Sequence, residues 1–326
     1  MNDKDKLLND VFQYRRAVVL LSAAKAGLFD LFLNKIDLNI QEVITTLNWS
    51  GRAAEITLNA LCAMGYLRKA QENYSIAPKF QPMFTEENYP LVKEWLNHEW
   101  RLLNRWIHFS EVLVTGKPYR ETEKTTVHRN HQNFILSMAH REKENLFSMI
   151  NAISLEGYQH LLDLGGGPGF FAIAFAEKYP ALKATVFDTP ETQPIANKFI
   201  NASSASSKIN FIGGDFLKDD FGNNYDVILL SSVLHIYGPD ENENLLKRVY
   251  QSLKRGGRVI IRDFFLNRKK TSPLIGALFA VNMLINTDNG NAYSYREMIN
   301  WLKNAGFTGM KKRSLEGRMA LLEGYK

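Results

Sequence analysis

Asp163-Leu164-Gly165-Gly166-Gly167-Pro168-Gly169-Phe170 sets an acid two residues before a run of glycines, at what reads as a strand-to-helix turn. Glycine lets a backbone pass close to a ligand where a Cβ would clash. The helix expected from Phe171 to Lys178 would present unpaired N–H groups to that ligand. The dinucleotide fingerprint G-x-G-x-x-G, counted from Gly165, needs glycine at Phe170. The sequence has G-x-G-x-G instead. Asp188 lies roughly 20 residues past the loop, where a Rossmann-like fold puts a carboxylate on ribose hydroxyls. A carboxylate can accept from both hydroxyls of a ribose at once. Further on come Gly214-Asp215-Phe216, then Ser231-Ser232-Val233-Leu234-His235, then Arg262-Asp263-Phe264. A histidine at a strand end beside a cofactor loop is where a general base belongs, although a cap or packing role is the plainer alternative.

These residues need a scaffold that brings them to one edge. From Tyr158 onward strands and helices alternate, which implies a parallel sheet with helices on both faces. The expected strands are Tyr158–Leu164, Lys183–Phe187, Ile209–Ile212, Asp226–Leu230 and Arg258–Ile261. Each polar residue of interest follows a strand's carboxyl end, the ligand edge of such a sheet. Asp240, with Glu243 three residues on, can cap the helix between the fourth and fifth strands, whose buried stripe is Leu245, Val249 and Leu253. Ser294-Tyr295-Arg296-Glu297 reads as a capping box for a helix that stops at Gly306. Two last strands, Gly309–Ser314 and Arg318–Tyr325, would turn at Glu316-Gly317.

At 326 residues the chain is long enough for two domains. Its 45% hydrophobic and 23% charged residues are ordinary for a soluble globular protein. The net charge of +6 is mild and scattered, and Arg268-Lys269-Lys270 and Lys311-Lys312-Arg313 read as solvated turns. A single cysteine, Cys62, excludes an internal disulfide framework and a cysteine-based metal site. His128 and His131 are close together but lack carboxylate ligands at a matching spacing, so they read as surface residues and no metal is expected. The polar Met1–Asp5 stretch is no secretory signal, and no apolar run reaches membrane-spanning length. The longest, Leu274 to Ile285, reads as a buried helix with Ser272 as N-cap and Pro273 in the first turn. A cytoplasmic protein without a membrane partner is the expectation.

In the first third, apolar residues at helical spacing predict a helix over Lys6–Lys25 ended by Gly27, then helices over Ile40–Leu47 and Arg52–Met64. Tyr66–Lys69 and Tyr74–Ile76 read as a hairpin. Helix, helix, hairpin is the winged-helix order. A DNA-reading helix places several basic side chains outward, whereas Arg52, Glu55, Thr57 and Asn59 offer a single base. An oligomerisation module, not a nucleic-acid reader, is the better fit. Leu91 to Thr115 holds Trp95, Trp100, Trp106 and Phe109 and reads as an interface helix. The domain boundary is placed after it, giving residues 1–115 and 116–326. A helix over Asn133–Ile150 carries Phe134 and Met138, which could cover an aromatic substrate or be plain core.

The acid-then-glycines pattern resembles motif I of the class I S-adenosylmethionine-dependent methyltransferases. Together with Gly214-Asp215-Phe216, Leu234-His235 and the winged-helix first third, it is similar to the small-molecule O-methyltransferases, which include plant caffeate and acetylserotonin methyltransferases and bacterial relatives. The resemblance spans nearly the whole chain. It implies a Rossmann-like α/β catalytic domain with a mostly parallel seven-stranded sheet finished by an antiparallel hairpin, preceded by a helical dimerisation domain. It implies S-adenosylmethionine as donor, S-adenosylhomocysteine as product, no metal, a homodimer, and a small hydroxylated aromatic acceptor. Asp163, Gly165 and Gly167 would bed the methionine part, Asp188 would hold the ribose, and Asp215 with Phe216 the adenine. Ser231 stands where many plant members have a donor-touching lysine. His235 matches the catalytic histidine and Asp263 a glutamate that orients it, one methylene shorter here. The family's second glutamate falls at Ala292, and its His-Asp-Trp is His235-Ile236-Tyr237, so the cleft wall differs.

That chemistry is self-consistent. Methyl transfer from a sulfonium is an in-line displacement that needs positioning and a charged nucleophile. A phenol of pKa about 10 is mostly protonated at neutral pH, and an imidazole of pKa about 6.5 can accept its proton as transfer proceeds. Methyl transfer to carbon or nitrogen on the same fold is one alternative, and a winged-helix regulator with a donor-sensing pocket is another. A relative that keeps the donor for other chemistry is a third.

Overall fold

In the computed structural model, residues 3–33, 35–120, 127–315 and 317–326 are described. Glu316 of the expected final turn therefore lies outside the described residues. Two compact units divide the chain between Asn104 and Arg105.

The first unit contains α1 (Asp3–Phe12), α2 (Tyr14–Lys25), β1 (Asp37–Asn39), α3 (Ile40–Leu47), α4 (Gly51–Ala63), β2 (Leu67–Ala70) and β3 (Asn73–Ile76), and runs into α5 (Tyr89–Trp106). The single helix expected over Lys6–Lys25 is two, interrupted at Gln13. A capping box starts α3: the Asn39 side chain accepts from Gln41 N at 2.9 Å, and the Glu42 carboxylate accepts from Asn39 N at 2.9 Å. Ser50 caps α4 by accepting from Ala53 N at 3.2 Å. β2 and β3 form the expected hairpin, and β1 pairs with β3 to make a three-stranded antiparallel sheet. Phe29, Leu58, Leu61, Tyr74 and Val92 fill the core of this unit. The one buried phenol among them is satisfied, Tyr74 donating to Asn59 Oδ1 at 3.0 Å.

The second unit takes the end of α5, then α6 (Phe109–Thr115) and α7 (Val127–Ala152). The boundary thus falls before α6, not after Thr115. The reason is chemical: Arg105 donates to Asn286 Oδ1 and Trp106 to Asn282 Oδ1, each at 3.0 Å. The aromatic stretch is also two helices, broken at Ile107-His108.

Beyond α7 come β4 (His160–Leu164), α8 (Phe170–Lys178), β5 (Lys183–Asp188), α9 (Gln193–Ala202), β6 (Ile209–Gly213), β7 (Tyr225–Ser231), α10 (Pro239–Ser252) and β8 (Leu253–Asp263). The chain finishes with α11 (Leu274–Asn286), α12 (Tyr295–Ala305), β9 (Thr308–Ser314) and β10 (Ala320–Tyr325). One seven-stranded sheet runs β6-β5-β4-β7-β8-β10-β9, with β4 to β8 parallel among themselves and β10 antiparallel to both its neighbours. The final strand therefore inserts between β8 and β9 rather than adding at the edge.

Successive residues of a strand point to opposite faces. Leu162, Leu164, Ile228, Leu230, Val259 and Ile261 pack on one side with Leu246, Val249, Trp301 and Leu302 from α10 and α12. Leu161, Val227, Leu229 and Ile260 pack on the other with Met149, Phe171, Phe175 and Ile200 from α7, α8 and α9. Both faces are covered, which is why the strands read as continuous apolar runs. The strand order reverses between β4 and β7, so the ligand crevice opens at their carboxyl ends.

Helix starts differ in detail from expectation. α10 begins at Pro239, with Glu241, not Glu243, accepting from the Gly238 amide at 2.9 Å. Proline preset for the first turn moves the start ahead of Asp240. α11 begins at Leu274 without a side-chain cap from Ser272. The α12 capping box is as expected: Ser294 Oγ accepts from Glu297 N at 3.3 Å, Glu297 accepts from Ser294 N at 2.9 Å, and Gly306 ends the helix at φ +106°. Among the described residues, no helix is long and apolar enough to cross a membrane.

Candidate active site

The glycine loop leaves β4 and is tied to β5, Gly165 N donating to Phe187 O at 2.8 Å. Gly165 and Gly167 have φ of +73° and +51°, a region that disfavours side chains. Their surroundings differ. A Cβ on Gly165 would meet Val233 Cγ2 at 2.6 Å, and one on Gly166 would meet Asp163 Cγ at 2.7 Å. A Cβ on Gly167 would meet nothing within 4 Å. The first two glycines serve the protein's own packing, and Gly167 faces open space.

Asp163, at the end of β4, is fully buried, and neither carboxylate oxygen has a hydrogen-bond partner in the protein. Burial pushes its carboxyl up to about 7, and the negative charge of Asp188 adds to this against a lowering contribution from the Ala172 amide. An orphaned buried carboxylate is costly unless something cationic or donating meets it. Asp188, at the end of β5, accepts from Gly167 N at 2.8 Å, from Thr189 N at 2.7 Å and from Thr192 Oγ1 at 3.0 Å.

Asp215 follows β6 and carries an ion pair to Lys218 at 2.9 Å, which foremost holds its carboxyl below the ordinary range. Phe216 meets Tyr237 edge-on at 5.7 Å, and its ring lies 3.6 Å from the Cβ position of Gly165. The Tyr237 phenol is pushed up to about 12, by burial first and then by the charges of Asp215, Glu241 and Asp188. It therefore stays protonated beside these three acids. The sequence marked Tyr237 only as a changed wall residue, because its neighbourhood comes from three separate strand ends.

Ser231 closes β7 with its hydroxyl accepting from Arg262 Nη1 at 3.0 Å, at 5% exposure. This partner lies within the sheet, on the adjacent strand β8, and not in the crevice. The next residue, Ser232, has φ +62°, a strained angle for a non-glycine residue that turns the chain toward the glycine loop.

His235 sits in a single 3-10 turn, Leu234–Ile236, directly after this bend. Asn242 pins the turn from α10, donating to Leu234 O at 2.9 Å and Tyr237 O at 3.1 Å. His235 Nδ1 lies 2.8 Å from Asp263 Oδ1, and the two side chains are 10% and 2% exposed. A carboxylate only accepts, so Nδ1 carries the proton and Nε2 of the neutral ring is left with a lone pair. Asp263 Oδ1 also accepts from Phe264 N at 2.8 Å, while Oδ2 has no partner. Ala292 is fully buried and brings no second acid. Phe279 from α11 meets the His235 ring edge-on at 4.8 Å and stacks on Phe264 at 4.0 Å. Phe279 was hidden from sequence reading inside an apolar helix that looked like plain core.

On α7, Phe134 is 42% exposed and Met138 is half-buried. His131 is not a surface residue: it is half-buried, with Nε2 3.0 Å from Thr192 Oγ1. The side chain of His128 lies outside the described residues. Among the described residues, no group of three or more His, Cys, Asp or Glu side chains could hold a metal ion.

A glycine facing open space, with the Asp188 carboxylate bonded to its amide at the ends of β4 and β5, fits a nucleoside ligand such as S-adenosylmethionine. The comparisons agree. Residues 100–308 match the O-methyltransferase domain family. The chain is 28% identical to the tetracenomycin polyketide synthesis 8-O-methyl transferase TcmO of Streptomyces glaucescens, over 94% of this chain and 92% of that protein. It is likewise 28% identical to the L-tyrosine C(3)-methyltransferase of Streptomyces lavendulae, over 91% of this chain and 83% of that one. The fold superposes on human N-acetylserotonin methyltransferase in complex with S-adenosylmethionine, with a TM-score of 0.85 at 24% identity, covering 100% of this chain and 98% of the other. With a family match that spans most of its length, the chain belongs to the S-adenosylmethionine-dependent O-methyltransferases.

Proposed function

We propose that this enzyme methylates a hydroxyl of a small aromatic metabolite, with His235 as the general base. The observation that carries the reading is the buried His235–Asp263 pair, 2.8 Å apart, which joins the end of β8 to the turn after β7 whose Val233 abuts the glycine loop. When bound, the donor supplies an electrophilic methyl on a sulfonium. Asp163, Gly165 and Gly167 would bed its methionine part, Asp163 from beneath the loop. Asp188 would accept from the ribose hydroxyls, and Asp215, Phe216 and Tyr237 would frame the base. Asp263 holds the imidazole tautomer, and Nε2 takes the acceptor's proton as the methyl moves. Phe279, backed by Phe264, offers an aromatic wall against the His235 ring, and Phe134 and Met138 would close the acceptor side. Ser231 is bonded to Arg262 and has no role in this reading.

The first unit would serve as a winged-helix dimerisation module in a homodimer. Supporting this, α1 buries no residue and leaves Leu7, Val11 and Phe12 at 65%, 54% and 45% exposure.

The test is incubation with methyl-labelled S-adenosylmethionine and a panel of phenols, with His235→Ala in parallel. Label transferred to oxygen by the native enzyme, and largely lost in the variant, supports the reading. Undiminished transfer by the variant removes the general base. The likeness to a tyrosine C(3)-methyltransferase favours one second reading, methylation of a ring carbon ortho to a phenol. Product analysis by NMR separates an aryl methyl from a methyl ether.

A further inference from the structure

Helix α7 reaches the donor carboxylate through a buried hydroxyl. His131 Nε2 lies 3.0 Å from Thr192 Oγ1, and Thr192 Oγ1 lies 3.0 Å from Asp188 Oδ1. Thr192 is fully buried. Thr189 Oγ1 stands 3.1 Å from Thr192 Oγ1 and 3.5 Å from His131 Nε2.

The direction of this chain follows from donor and acceptor capacity. The Asp188 carboxylate only accepts, so Thr192 gives it the single hydroxyl proton. Thr192 Oγ1 can then only accept from its other neighbours, so Nε2 of His131 must donate to it. Protons point from His131 to Thr192 to Asp188, and the His131 tautomer is set by that order. Asp188 already accepts from Gly167 N and Thr189 N. With three protein donors on about four lone-pair sites, the rotation of the carboxylate is closely fixed. Thr189 N and Thr192 Oγ1 fill Oδ1, so the one site left is on Oδ2 beside Gly167 N, and that rotation decides whether it can accept from a ribose hydroxyl.

We propose that His131 is a positioning residue for the donor, acting through Thr192 to hold Asp188 in the orientation that accepts the ribose 2′-hydroxyl. This rests on the reading of Asp188 as the ribose carboxylate. His131 also shares a helical face with Phe134 and Met138, three and seven residues on. One face of α7 thus serves both the donor carboxylate and the acceptor wall.

Calorimetric titration of the full-length protein with S-adenosylhomocysteine and with its 2′-deoxy counterpart tests the proposal. Native protein and Asp188→Ala come first. If the native protein binds neither ligand, or Asp188→Ala binds as well as native, the ribose assignment fails and the proposal falls with it. If that assignment stands, His131→Ala should weaken S-adenosylhomocysteine about 5- to 10-fold, the loss of one hydrogen bond. The preference over the deoxy ligand should shrink by the same factor, because only the 2′-hydroxyl reads the carboxylate's orientation. Thr192→Val should match His131→Ala, and the double variant should be no weaker than either. His131→Gln, whose amide can still donate, should bind within about 2-fold of native. Equal weakening of both ligands, additive effects in the double variant, or no rescue by glutamine would each overturn the proposal in favour of simple helix packing.

Discussion

His235 Nδ1 and Asp263 Oδ1 lie 2.8 Å apart in a buried pair, which leaves Nε2 as the ring nitrogen able to take a proton. His235→Ala should lower turnover by roughly 10²- to 10⁴-fold, the usual weight of a general base. Asp263→Asn should lower it by less, since the ring remains and only its tautomer is freed. Neither variant should change the affinity for S-adenosylhomocysteine. Steady-state rates beside calorimetry check both statements, and a matching loss of affinity would place the pair in donor binding instead.

Two neighbouring glycines should fail differently. Gly166→Ala drives a methyl to 2.7 Å from Asp163 Cγ, so it should cost stability and loosen the loop. Gly167→Ala meets no protein atom within 4 Å and carries only the strain of φ +51°, about 1–2 kcal/mol. Its methyl projects into open space beside Asp188. The protein should therefore fold but bind S-adenosylhomocysteine at least about 10-fold more weakly, or more than 1.4 kcal/mol. Thermal melts with and without the ligand separate the two cases.

Asp163 makes the ligand-free enzyme sensitive to alkali. Its carboxyl is raised from 3.8 to about 7 by burial. A raised acid binds its proton more tightly in the folded state, so its contribution to stability is full below the unfolded pKa and is lost as pH climbs through about 7. The melting temperature should fall as pH rises from about 4 to about 7 and level off above that, and Asp163→Asn should flatten the fall. Each kcal/mol relieved corresponds to roughly 2–4 °C in a domain of this size. An unchanged slope in the variant would assign the sensitivity elsewhere.

Glu323 is fully buried in β10, accepting from Arg258 Nη1 at 2.7 Å and from Arg313 Nε at 2.5 Å. Glu323→Ala leaves the buried Arg258 without its carboxylate and should cost about 3–5 kcal/mol. Replacing the charge alone, Glu323→Gln, should cost less because the amide oxygen can still accept. Chemical denaturation of the two variants measures the difference.

The sequence by itself determined the elements and the chemistry local to each one. The alternation of apolar runs and helical stripes was enough for a parallel sheet, because strands buried on both faces have no polar side to hide them. Asp163, Asp188, Asp215 and His235 each lie at or just past the carboxyl end of a strand, so one edge of the sheet could be read as polar before any strand order was known. The Ser294–Glu297 capping box was legible for the same reason: every contact in it spans three residues.

What only the tertiary structure decided lies across larger gaps in sequence. Nothing local to Ser231 predicts that Arg262 occupies its hydroxyl, because that bond joins adjacent strands. Phe279 meets His235 only once α11 folds over the sheet edge, and an aromatic in an apolar helix carries no mark of that use. The division of the chain before α6 depends on Arg105 and Trp106 finding Asn286 and Asn282. His131 looked like a solvated residue in a charged stretch, since its partner Thr192 is 61 residues away. Spacing along a chain encodes helix faces and turns. It does not encode which distant hydroxyl a side chain meets, and packing of whole elements decides that.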